Sequence, residues 1–144
     1  MQSNTRLLGL DVGERRIGLA ISDRNGSLAT PFTAIERHGV DRDIAAILKL
    51  VRQEEVGTIV VGEPLSLDGS VGPQAKRTLV FYEALKAASP VPVETWDERF
   101  STVEAERLLR EAGVQPSRNR ARLDASAAAV ILQGYLDAHR GPAS

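Results

Sequence analysis

The chain contains no cysteine. That excludes a disulfide framework, a thiolate nucleophile and any cysteine-ligated zinc, and it fits a reducing compartment. Histidine is nearly as scarce: His38 and His139 are too few for an imidazole-rich metal site, so a bound metal would be held by oxygen. Aromatic residues make up 4% of the chain, which argues against a base-stacking platform for single strands. Neither sign of charge prevails, since 18 basic and 19 acidic residues leave −1. No net field therefore draws the whole molecule to nucleic acid or to a membrane, and such binding needs a local patch. The longest apolar run, residues 127–132, cannot cross a bilayer, and residues 1–16 hold no apolar stretch of the kind a signal peptide uses. The expectation is a cytoplasmic domain with no membrane partner.

What is present is 144 residues, 42% of them apolar. One domain over 1–144 fits that length and would bury roughly 70% of its unfolded surface. The basic residues are unevenly chosen, fifteen arginines to three lysines. Arginine offers phosphate a planar fork, as a recognition surface would; biased codon usage gives the same count.

The order of elements can be read from periodicity. Residues 6–10 form an apolar run before Asp11-Val12-Gly13, a buried strand ending in a turn. Residues 16–22 alternate Ile17, Leu19 and Ile21 with smaller residues, predicting a strand that folds back on the first. Asn25-Gly26 marks a hairpin, and residues 28–35 follow as a third strand that Pro31 assigns to an edge. Helical spacing then takes over at residues 41–55. The β-branched stretch 58–61 reads as a fully buried parallel strand. A Gly, Pro and Ser-rich loop at 62–73 is either a flap over a substrate or a plain connection. Pro73 opens a helix reaching residue 88, and residues 90–96 make a fifth strand. A capping box at Ser101 to Glu104 starts a helix that Gly113 should end, and a last helix covers 123–139. The fold class is therefore α/β: a five-stranded mixed sheet, helices on both faces, strands one, four and five parallel, strands two and three antiparallel at one side.

Certain acids stand at the ends of these elements. Asp11 closes a buried strand, although an isolated D-x-G is more often a turn. Asp97 and Glu98 close the fifth strand, and alternation sends them to opposite faces, so one of the two would reach the side that Asp11 faces. Asp124 shares a helical stripe with Ala128, Ile131 and Tyr135, at the border of an apolar face, where a first-turn Asp meeting the helix dipole is the plainer account. With the fourth strand between them, the ends of strands one and five lie roughly 10 Å apart, a gap two side chains nearly close. Acids that converge repel unless a cation sits among them, and oxygen ligands select Mg²⁺ or Mn²⁺. A pair of such ions activates water and stabilises the leaving oxygen in phosphodiester cleavage. Arg15, Arg16 and Arg99 adjoin these acids, and Arg107, Arg110, Arg118, Arg120 and Arg122 crowd the approach to Asp124. They are candidate phosphate contacts, or a solvated helical face and a charged loop.

Four ordered segments resemble the YqgF/RuvX family: Leu8 to Gly13 with Arg16 to Ala20; Val60 to Pro64 with Asp68-Gly69-Ser70; Trp96 to Glu106; and Asp124 to Ala128 with Ile131 to Leu136. The resemblance spans nearly the whole chain. It implies a ribonuclease H-like fold and a metal-dependent nuclease, processing precursor 16S ribosomal RNA or cutting branched DNA of the Holliday-junction type. It implies that Asp11, Glu98 and Asp124 are catalytic and hold Mg²⁺ or Mn²⁺; from their place beside these acids, Arg15, Arg16, Arg99, Arg118, Arg120 and Arg122 are the expected substrate contacts. A homodimer is compatible with it. Glu63 departs from the family pattern, which has an apolar residue there; it is either a fourth ligand or a loop Glu facing solvent. Two other readings stand beside the nuclease: a non-catalytic nucleic-acid-binding module of ribosome assembly, and an actin-like or sugar-kinase phosphate loop, which would need a second such domain.

Overall fold

The computed structural model describes residues 5–65, 68–98 and 120–139. The elements are β1 (Arg6–Val12), β2 (Arg16–Ser22), β3 (Ala29–Glu36), α1 (Val40–Gln53), β4 (Val56–Glu63), α2 (Pro73–Ala88), β5 (Val93–Asp97) and α3 (Arg120–His139). The sheet order is β3-β2-β1-β4-β5, as the pattern predicts. β1 pairs antiparallel with β2 and parallel with β4, and β5 joins β4 in parallel. Asp23 closes the β2–β3 turn by accepting from the Ser27 amide at 2.8 Å and the Ser27 hydroxyl at 2.6 Å. β3 is the edge strand on its side. Its register slips between the Leu19–Thr33 and Ala20–Pro31 pairs, an irregularity that accommodates a residue without an N–H.

Alternate strand residues feed two separate cores. Leu8, Leu10, Ile17, Leu19, Ile59 and Val61 face α1 and α2, where Ile47, Phe81 and Leu85 fill the space between. Each such side chain contributes roughly 1.5–3 kcal/mol by leaving water. The opposite face carries Gly9, Gly18, Ala20, Val60 and Gly62, and α3 lies on it through Ala128, Ile131, Leu132, Tyr135 and Leu136. Small residues on the sheet allow that helix to sit close. Gln133 fastens it to the β3 side by accepting from the Ala29 amide at 2.8 Å. The Tyr135 hydroxyl donates to Glu94 at 2.7 Å, fastening α3 to β5.

Two boundaries differ from expectation. β5 begins at Val93 because Pro90 and Pro92 have no N–H for a ladder; the Pro92 carbonyl instead accepts from the Ile59 amide at 2.9 Å. The last helix begins at Arg120, three residues before the first apolar side chain of its stripe, because Arg120, Ala121 and Arg122 are themselves good helix formers. The helix expected at 101–113, and the arginines within it, lie outside the described residues. Among the described residues, no helix is long and apolar enough to cross a membrane.

Candidate active site at the carboxyl ends of the parallel strands

Asp11 lies one residue from the end of β1. Leu10 and Val12 on either side of it enter the α1/α2 core, so Asp11 faces α3. Directly across the antiparallel ladder stands Gly18 of β2. A Cβ at Gly18 would overlap the carbonyl oxygen of Asp124. Its absence is what lets α3 descend onto β2 and bring Asp124 alongside Asp11. On the other flank Gly62 of β4 does the same for β5. A Cβ there would stand 3.0 Å from Glu98 Oε2 and 2.5 Å from Ile131 Cδ1. Two glycines thus make an open floor on either side of Asp11, one beneath each of the other acids.

The electrostatics follow from this placement. Burial pushes the Asp11 carboxyl up to about 6, and the negative charge of Asp124 adds to the rise. Glu98 is pushed up to about 7, first by burial, then by Asp11 and Asp97. Asp11 is therefore the middle member, repelled by an acid on each side. Asp124 has one opposite charge of its own: Arg16 Nε donates to its Oδ2 at 2.7 Å. Among the described residues no group of three or more carboxylate or imidazole side chains is spaced to hold a metal ion. The donor set nonetheless fits a hard divalent cation. It is all oxygen, and two of its members are penalised for ionising in the absence of positive charge.

The other candidates are distributed unevenly. Asp97 ends β5 opposite Glu63 in the β4 ladder, and alternation turns both away from the face of Gly62 and Trp96. Arg15 is exposed in the β1–β2 turn, and its carbonyl accepts from the Arg37 amide at 2.9 Å. Arg120 opens α3, and Arg122 is exposed one helical step further on. Arg99 and Arg118 lie outside the described residues. Sequence reasoning did not single out Gly18 and Gly62. The available signal was a pair of glycines inside strands, which mark close approach of another group. Asp124 sits in the second turn of α3, too far inside the helix to be its N-cap.

Comparison with known proteins identifies the family and the fold. The family profile described as RuvX, Holliday junction resolvase, matches residues 5–138. A Chloroflexus aggregans protein named "Putative pre-16S rRNA nuclease" is 49% identical over 136 residues, 94% of this chain and 96% of that one. An Anaeromyxobacter protein of the same name is 50% identical over 132 residues, covering 92% and 96%. Among solved structures, Thermus thermophilus RuvC in complex with a Holliday junction substrate superposes with a TM-score of 0.63 at 15% identity, covering 95% of this chain and 96% of that one. The fowlpox virus resolvase with Holliday junction DNA gives 0.56 at 10% identity, covering 93% and 98%. Those two likenesses establish the ribonuclease H-like fold. With the profile spanning nearly all of the sequence and close relatives along its full length, the chain belongs to the RuvX family.

Proposed function

We propose that this protein is a metal-dependent nuclease that hydrolyses phosphodiester bonds in structured nucleic acid, with precursor 16S ribosomal RNA as its first substrate and branched DNA as its second. The observation that carries the reading is that Asp11 lies between Glu98 and Asp124, with the Asp11 and Glu98 carboxyls raised first by burial and then by their acidic neighbours. The names of the curated relatives support the RNA substrate. Asp11, Glu98 and Asp124 would hold Mg²⁺ or Mn²⁺, which when bound supplies water activation and charge for the leaving oxygen. The protein's own share is to hold three oxygens in place. Arg16 fixes the orientation of Asp124 through one of its two oxygens. Arg15, Arg122 and the arginines near residues 99 and 118–120 hold the phosphates of a strand crossing this face. A symmetric dimer would present two such sites to the two strands of a junction.

Purified protein is incubated with end-labelled precursor 16S RNA and with four-way DNA junctions, with Mg²⁺ and with Mn²⁺. Cleavage should depend on the ion, and Asp11→Asn and Glu98→Gln should each lower it about a hundredfold or more, the scale of the charge stabilisation being removed. Undiminished cleavage by Asp11→Asn would refute the assignment. The pairing of Arg16 with Asp124, together with the open arrangement of the acids, favours a second reading, a module that binds ribosomal precursor RNA without cutting it. Gel shifts without any metal-dependent product on either substrate would establish that alternative.

A further inference from the structure

A cavity of about 350 Å³ opens on the other side of the β1–β2 turn, against α1 and α2 and away from the acidic face. Gly13, Arg37, Gly39, Gln74, Arg77 and Thr78 line it. Two helices start here. α1 has Gly39 at its N-cap and α2 has Gly72, and neither start is capped by a side chain. The first turn of α2 contains no acidic residue. Both helices therefore present the positive ends of their dipoles and amide N–H groups toward one space. Arg37 reaches it with its guanidinium anchored: Nε donates to Asp43 Oδ2 at 2.8 Å, Nη1 to the Gly13 carbonyl at 3.0 Å, and the group lies 5.2 Å from the centre of the Phe81 ring. Its remaining N–H groups are left for a ligand. Arg77 makes no ion pair among the described residues. Thr78 is 2% exposed, lines the cavity, and has no hydrogen-bond partner for its hydroxyl among the described residues. A nearly buried threonine beside two arginines and two helix starts suits acceptor oxygens. Two carboxylates oppose this, Glu14, exposed in the turn, and Asp41, exposed in the first turn of α1, while Asp43 in that same turn is already matched by Arg37.

We propose that this cavity is a phosphate-ester subsite, which receives the phosphate and sugar of a nucleotide unit next to the one being cut. The volume exceeds what a lone anion needs and falls in the range of small-ligand pockets, about 300–1,000 Å³. Gly13 is two residues beyond Asp11, at most ~7 Å of backbone, the scale of one nucleotide step along a strand. The course of the strand rests on the nuclease reading; the affinity of the cavity for phosphate does not. The same chemistry occurs in a strand and in a free mononucleotide, and the experiment separates them.

Full-length ¹⁵N-labelled protein, free of metal, is titrated with inorganic phosphate, with adenosine 5′-monophosphate and with adenosine. The amides of residues 39–40 and 74–78 should shift with the first two and not with adenosine. Arg77→Gln, a surface change, should weaken both phosphate ligands about tenfold or more, and Thr78→Val should weaken them with the fold intact by its spectrum. Asp11→Asn should leave the response unchanged. Amides that do not move, or an Arg77→Gln variant that binds like the parent, would overturn the inference. Strand binding is then followed by fluorescence anisotropy in EDTA over a range of salt. Arg77→Gln should lower the slope of log K against log salt by about one. An unchanged slope would assign the cavity to free mononucleotides and overturn the strand's course through it. Phosphate binding that persists in a protein cutting no substrate would refute the nuclease reading alone.

Discussion

Removing the Asp11 charge should make the metal-free protein more stable at alkaline pH, although the residue is proposed to be central to activity. The Asp11 carboxyl stands at about 6 in the folded chain against an ordinary 3.8. Below pH 3.8 it is protonated in both folded and unfolded chains, and an Asn in its place changes little. Between pH 3.8 and 6 the unfolded chain releases the proton while the folded one keeps it, so the parent loses stability as pH rises. Above pH 6 the loss is complete. The distance from 3.8 to about 6, at ~1.36 kcal/mol per pH unit, amounts to ~3 kcal/mol, and partial solvent access reduces it to ~1–2 kcal/mol. Glu98 adds in the same direction, because Asp11 is one of the charges that raise it. Urea melts of parent and Asp11→Asn in EDTA should therefore coincide near pH 4 and separate by pH 8, with the variant more stable and its Tm about 3–6 °C higher. Mn²⁺ at a hundred times its Kd should stabilise the parent by ~2.7 kcal/mol at pH 8 and leave the variant behind. A gap that does not change with pH, or a variant less stable at pH 8, would refute the account of a crowded, buried acid.

Two further outcomes follow from packing. Gly18→Ala places a Cβ against the Asp124 carbonyl, which is backbone and cannot rotate aside. It should cost ~1–3 kcal/mol in urea melts and remove cleavage with the three acids still present; full activity would show that α3 does not need that contact. Asp43→Ala strips a carboxylate with a side chain only 1% exposed from Arg37 and from the His38 amide, which it meets at 2.8 and 2.9 Å. A loss of ~3 kcal/mol is expected, and a loss below ~1 kcal/mol would mean that solvent reaches the guanidinium freely.

Much of this architecture was legible because it follows from local rules. A Pro in residues 28–35 marks an edge, four β-branched residues at 58–61 mark a strand covered on both faces, and both statements hold in the sheet. Period-two alternation separates Asp97 from Glu98 without any coordinates. The parts that were not legible depend on distance in the chain. Arg16 read as a phosphate contact, and only folding places it on a carboxylate 108 residues away. Gly18 and Gly62 matter for what lies above them, which no local pattern records. The cavity beside α1 and α2 is assembled from two helix starts and a turn far apart in the chain, so no local pattern records it.

The placement of α3 has a consequence for the chain's own birth. The helix that carries Asp124 is made well after the strands it covers, β1 and β2 with their glycine-lined face. While a ribosome still holds residues beyond 120, that face lacks the cover of α3 and Asp11 lacks Asp124 beside it. Emergence of that one segment covers the glycine-lined face and brings Asp124 beside Asp11 in a single event.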